Sequence, residues 1–191
     1  MRYFIITVAL LFNLSSYAQQ VKTYYHDNGK KASEGVLLCN DPKVLEPNFP
    51  SNYSKDEQER ILSSTIKDGE WKSWYDDGTL QSVQHYNKGV LVGKNLTYHP
   101  NGQLESLIIP DGVSTSTYYY MNGQKQSEGI LNSESQAQGI WKGWFESGVL
   151  NFEAQYSNGL SSGVTKWYSE DGKLYLIQEF SEGNLIKTTK N

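Results

Sequence analysis

The chain has 191 residues, 17 basic against 21 acidic side chains, a net charge of −4 and one cysteine. That balance excludes the basic footprint of a nucleic-acid-binding protein and leaves no basic stripe for anionic lipid. A lone cysteine excludes an internal disulfide, so stability has to come from packing.

The first element in chain order is a leader. Arg2 precedes an apolar run from Tyr3 to Leu14, and Ser16-Tyr17-Ala18 puts small residues where a signal peptidase reads. The pattern predicts a signal peptide over residues 1–18 and an exported protein, destined for the periplasm, the cell envelope or secretion; the apolar run is too short to span a bilayer. No later segment is apolar enough for a transmembrane helix. Residues 19–191 are expected to form one repeat domain. Cys39 reads as a small, partly buried apolar residue.

The repeat is set by the turn glycines Gly29, Gly78, Gly102, Gly123, Gly148 and Gly172. Four residues before each stands an aromatic: Tyr25, Trp74, Tyr98, Tyr119, Trp144 and Tyr168. Two residues after come Leu80, Leu104, Leu150 and Leu174, with Lys31 and Lys125 as exceptions. From Gly78 onward the turn glycines are separated by 24, 21, 25 and 24 residues, the signature of a repeat array. A longer repeat overlies the short one. YYHDNGKKASEGVL from Tyr24 matches YYYMNGQKQSEGIL at a spacing of 94, from Tyr118, and GEWKSWYDDGTL from Gly69 matches GIWKGWFESGVL from Gly139 at a spacing of 70. Six units in two halves follow, with an insertion at about 39–67. Pro42, Pro47 and Pro50 make its first part irregular; Ser54-Lys55-Asp56-Glu57 has capping-box spacing and predicts a helix from about Lys55 to Ser64.

Each unit reads as a β-hairpin. Asn-Gly or Asp-Gly closes five of the six, and both residues tolerate the positive φ of hairpin turns. A three-residue loop ending at the turn glycine sets the aromatic opposite the Leu. Stacked hairpins predict an all-β fold, an elongated twisted antiparallel sheet of tandem units with one short helical insertion. Alternation along a strand sorts the residues by face. One parity collects Trp144, Leu150, Phe152, Tyr156, Leu176 and Phe180 and is the expected core. The other collects Trp71, Tyr75, Trp141, Phe145, Trp167, Tyr24 and Tyr118 among polar residues, and is the candidate binding face.

The signature G-x-W-x-x-W-[YF]-x-x-G-x-L, at Gly69–Leu80 and Gly139–Leu150 and in looser form at Gly93–Leu104 and Gly163–Leu174, resembles the MORN-type repeat, in the bacterial variant of the YwqK-like antitoxin family. The resemblance implies consecutive hairpins in an extended sheet and a binding or scaffolding role. Its antitoxin name implies a protein partner.

Catalytic chemistry is not indicated. His26 and His99 occupy the same turn position in units too far apart to share a metal, and His85 has no ligand partner near it in sequence. Asp76-Asp77 and Glu170-Asp171 are turn carboxylates, and no phosphate- or dinucleotide-binding loop is present. The expectation is a non-enzymatic protein without cofactor, binding another protein or, alternatively, a cell-wall glycan.

Overall fold

The computed structural model describes residues 18–39, 41, 43 and 51–191. The predicted leader lies outside these residues except for Ala18, as do Pro42, Pro47 and Pro50. The described residues hold fourteen strands and one helix, in two compact units that divide between Val92 and Gly93.

The first unit is built from β1 (Ala18–Tyr25), β2 (Lys31–Cys39), α1 (Lys55–Ser63), β3 (Thr65–Trp74) and β4 (Leu80–Asn87), its strands hydrogen-bonded in that order. Strand β5 (Val90–Tyr98) starts just before the division and leads the second unit. There it is followed by β6 (Leu104–Ile109), β7 (Ser114–Tyr119), β8 (Lys125–Leu131), β9 (Ala137–Trp144), β10 (Leu150–Ser157), the short β11 (Leu160–Ser161), β12 (Gly163–Tyr168), β13 (Leu174–Ser181) and β14 (Asn184–Lys190). Within each unit consecutive strands pair antiparallel; β11 only flanks β10, which goes on to pair with β12. The all-β architecture of tandem hairpins is as the sequence predicts.

Hairpin closure follows the glycines. His26 N–H donates to Lys30 O at 2.9 Å, and Gly29 N–H to His26 O at 2.9 Å, closing a three-residue loop on a glycine at φ 81°. The same pair of bonds recurs at His99 and at Phe145. Asn28 Oδ1 accepts from Lys30 N–H at 3.0 Å, the reason Asn or Asp precedes the glycine. Pro100 lies in such a turn and is exposed. At the opposite sheet end the turns hold two residues, Lys88-Gly89 (φ 47° and 84°) and Asn158-Gly159 (φ 48° and 79°). Positive φ at both central residues is the I′ geometry that matches strand twist. Lys88 adopts it because its N–H is held by the Asp68 carboxylate at 2.9 Å.

The closure sets each aromatic opposite its partner, Trp144 against Leu150 and Tyr98 against Leu104. One step further the register slips. Gly143 faces Phe152, so Asn151 has no partner; Ala32, Gln81, Glu105, Gln126 and Tyr175 are skipped likewise. A one-residue bulge reverses the alternation beyond it. The expected core face is therefore split. Trp144 and Leu150 stay together, but Phe152 lies with Trp167, ring centroids 5.6 Å apart. Most burial moves with them: Trp71, Asn95, Ser106, Ser116, Ala154 and Thr165 are buried on the face expected to be amphipathic.

The insertion caps the first sheet rather than leaving it. Ser54 Oγ accepts from Glu57 N–H at 3.3 Å and starts α1 as the capping spacing predicts. Ile61 of this helix has no exposure; Leu38 and Cys39, at the end of β2, keep 3% and 1%. The Cys39 thiol points at Ile61 O and Ser64 Oγ, at 3.9 and 3.4 Å.

Candidate functional site

Tyr24, Trp71 and Gly35 meet on the ring face of the first unit. The Tyr24 and Trp71 centroids are 6.5 Å apart, and Trp71 Nε1–H donates to Val36 O at 2.9 Å. A Cβ at Gly35 would collide with the Trp71 ring, so the indole lies flat on glycine backbone. Lys67 sets its ammonium over Trp71 at 4.8 Å and over Tyr86 at 5.0 Å. The second unit repeats the cassette: Tyr118 and Trp141 are 6.3 Å apart, Trp141 covers Gly129, and its Nε1–H donates to Ile130 O at 3.0 Å. Both spacings of the longer sequence repeat, 94 and 70 residues, are thus those of one packing arrangement. Trp167 is held by Gln178 Oε1 at 2.9 Å.

Five of the seven candidate aromatics stand in local ring pairs. Tyr24 with Trp71, Tyr118 with Trp141, and Trp167 with Phe152 are separate ring pairs. Tyr75 and Phe145 open turns instead. Trp71 is only 5% exposed, so it packs rather than presents.

The turns form a ladder of their own. His26 Nε2 reaches Trp74 O at 2.8 Å and His99 Nε2 reaches Tyr119 O at 2.9 Å. A carbonyl only accepts, so both rings carry their proton on Nε2. Tyr120 O–H makes the same bond to Trp144 O at 2.8 Å, and Asn28, Asn101 and Asn122 each donate to a carbonyl of the following turn. The two histidines are rungs between hairpins. Among the described residues no group of three His, Cys, Asp or Glu side chains could hold a metal.

The opposite face of the second unit carries the arrangement that the sequence analysis missed. Glu128 pairs across the strands with Lys142, Lys142 with Glu153, and Glu153 with Lys166, an alternating row over β8, β9, β10 and β12. Lys142 and Glu153 close an ion pair at 3.2 Å, and Lys125 reaches Glu128 at 2.6 Å. Tyr168 O–H donates to Glu153 at 3.4 Å; burial and that carboxylate hold the phenol above its ordinary pKa. Beside this row stand Ile130, Ile140 and Val164, with Ile140 65% and Val164 43% exposed. Two shallow grooves flank Ile140: one of about 410 Å³ lined by Thr117, Glu128, Ile130 and Lys142, the other of about 270 Å³ lined by Glu153, Gln155, Val164 and Lys166. The signal was in the sequence, as lysine six residues before the turn glycine at Lys72, Lys142 and Lys166 and glutamate five after it at Glu34, Glu128 and Glu153.

Four stretches, residues 67–88, 91–109, 137–158 and 162–182, match the family described as the MORN repeat variant. Over these stretches the chain is similar to MORN-type repeats. The matched stretches coincide with the hairpins turned at Gly78, Gly102, Gly148 and Gly172; the two hairpins that carry Lys31 and Lys125 in place of Leu fall outside them. No curated protein matches the chain. MORN repeats are generally protein- or membrane-binding modules and typically non-enzymatic. No helix among the described residues is long and apolar enough to cross a membrane.

Proposed function

We propose that this is an exported, non-catalytic scaffold whose repeat sheet binds another protein. The observation that carries the reading is the outer face of the second unit, where Ile140 and Val164 stand exposed beside the row of alternating charge. Exposed β-branched side chains beside grooves are the anatomy of a protein-docking patch: an apolar centre within a polar rim. Alternating charge suits a protein partner better than a membrane, because anionic lipid calls for lysine and arginine clustered without acids. A glycan is the poorer fit on the ring face. Sugar stacking needs a free aromatic face, and Trp71 has one face on Gly35 and the Lys67 ammonium over its ring. The leader at residues 1–18 supports export, and the resemblance to YwqK-like antitoxins supports a protein as the ligand.

Ile140 and Trp141 are neighbours on opposite faces, which makes the test direct. The chain, with Ile140→Lys and Trp141→Phe variants, is used for affinity capture from the envelope and secreted fractions of its host. Capture lost in Ile140→Lys and kept in Trp141→Phe is expected. Capture unchanged by Ile140→Lys would remove the outer face from consideration.

A further inference from the structure

The alternating row itself says what kind of protein fits. We infer that a second copy of this chain docks on the outer face of the second unit, an inference that rests on the reading of this face as a docking surface. The row runs Glu128, Lys142, Glu153, Lys166 across adjacent strands β8, β9, β10 and β12. Strands lie about 4.8 Å apart, so the four charges are evenly spaced. Place a two-fold axis parallel to the strands, midway between β9 and β10, and lay a second copy over the first. The order of the row reverses. Glu128 then faces Lys166 of the second copy and Lys142 faces its Glu153, so every acid meets a base. An alternating row of even length is self-complementary under this operation; a row of one sign would repel its copy. An isologous two-fold contact is also the commonest way for one surface patch to serve both partners.

The apolar row obeys the same operation. Ile130 on β8 faces Val164 on β12 of the second copy, and Ile140 on β9 faces Gln155 on β10. Exposed aliphatic groups of both copies are thereby withdrawn from water along one side of the charged row. The charges set register and orientation, and the aliphatic row supplies the burial.

Two charge-reversed chains test this. One carries Lys142→Glu and Lys166→Glu, making the row wholly acidic; the other carries Glu128→Lys and Glu153→Lys, making it wholly basic. Circular dichroism establishes that each retains its strand signal, and sedimentation equilibrium over a concentration series reads association. The wild-type chain is expected to dimerise, and each variant alone to associate about tenfold or more weakly. An equimolar mixture of the two is expected to restore the dimer as a heterodimer, and high salt to weaken it. A wild-type chain that stays monomeric, or variants that dimerise as well as wild type, would overturn the inference. Monomeric wild type with partner capture still lost in Ile140→Lys would sink self-association alone and leave the scaffold reading standing.

Discussion

The ammonium of Lys125 sits 5.0 Å from the ring centroid of Trp144 and 2.6 Å from the Glu128 carboxylate. Lys31 does the same in the first unit, 5.5 Å from Trp74 and 2.7 Å from Glu34. These lysines are the two departures from leucine in the repeat. Leucine stands wherever the next unit brings Tyr, at Leu80, Leu104 and Leu150; lysine stands where it brings Trp. The substitution is a matched exchange of one cross-hairpin contact for another, because indole offers the best face for a cation. Since the pair is only half-buried, its worth is modest. A double-mutant cycle with Lys125→Met and Trp144→Leu is expected to give a coupling energy of roughly 0.5–1 kcal/mol by urea denaturation. Zero coupling would mean the stacking is incidental.

Gly129 lies under the Trp141 ring and has no room for a methyl group. Gly129→Ala is expected to destabilise the fold by about 1–3 kcal/mol, the usual cost of overpacking. In a Trp141→Leu background the obstructing indole is gone and the penalty should fall below about 1 kcal/mol. Equal penalties in both backgrounds would place the cost in the strand backbone instead. Gly35 beneath Trp71 should repeat the behaviour.

The turn ladder assigns a proton. Nitrogen-15 spectra of His26 and His99 are expected to show the Nε2–H form in both neutral rings, because each Nε2 faces a carbonyl. His26→Ala removes the donor and leaves Trp74 O unmatched, a loss of about 0.5–1.5 kcal/mol in thermal or urea unfolding. An Nδ1–H signal at either residue would break the rung.

Acid sensitivity follows from Glu34. The hydrogen bond from Lys31, with a further one from the Thr23 hydroxyl at 2.9 Å, holds its carboxyl below the ordinary range. A depressed folded pKa contributes stability that is complete above the unfolded value of about 4.3. That stability drains as pH falls through the folded pKa. Comparing urea midpoints at neutral and acid pH, Glu34→Gln should show a shallower acid loss than wild type. An unchanged slope would mean that Glu34 ionises alike in both states.

Cys39 should behave as a packing residue. With 1% exposure beneath α1, its thiol is expected to react with an aromatic disulfide reagent only after unfolding. Fast reaction in native buffer would show that the helix does not stay down.

Tandem hairpins were legible in the sequence because their causes are local. An Asn-Gly or Asp-Gly turn needs positive φ whatever surrounds it, and the aromatic and the leucine pair because the loop holds three residues. The helix start at Ser54 was legible for the same reason: a cap bonds within four residues of itself. The faces were not. The bulge at Asn151 and its five equivalents leaves no mark on the alternation of residue types, and so Phe152 and Tyr156 were placed with Trp144 when the fold turns them toward Trp141 and Trp167.

The sequence by itself determined the repeat and the hairpin closure, since each rests on residues near one another along the chain. Tertiary structure alone decided which side of the sheet is buried and which faces water. That choice depends on register between strands, and one skipped residue per hairpin is enough to reverse it. It drew Trp71 down onto Gly35, and it left Ile140, Lys142 and Glu153 together on the side that faces water.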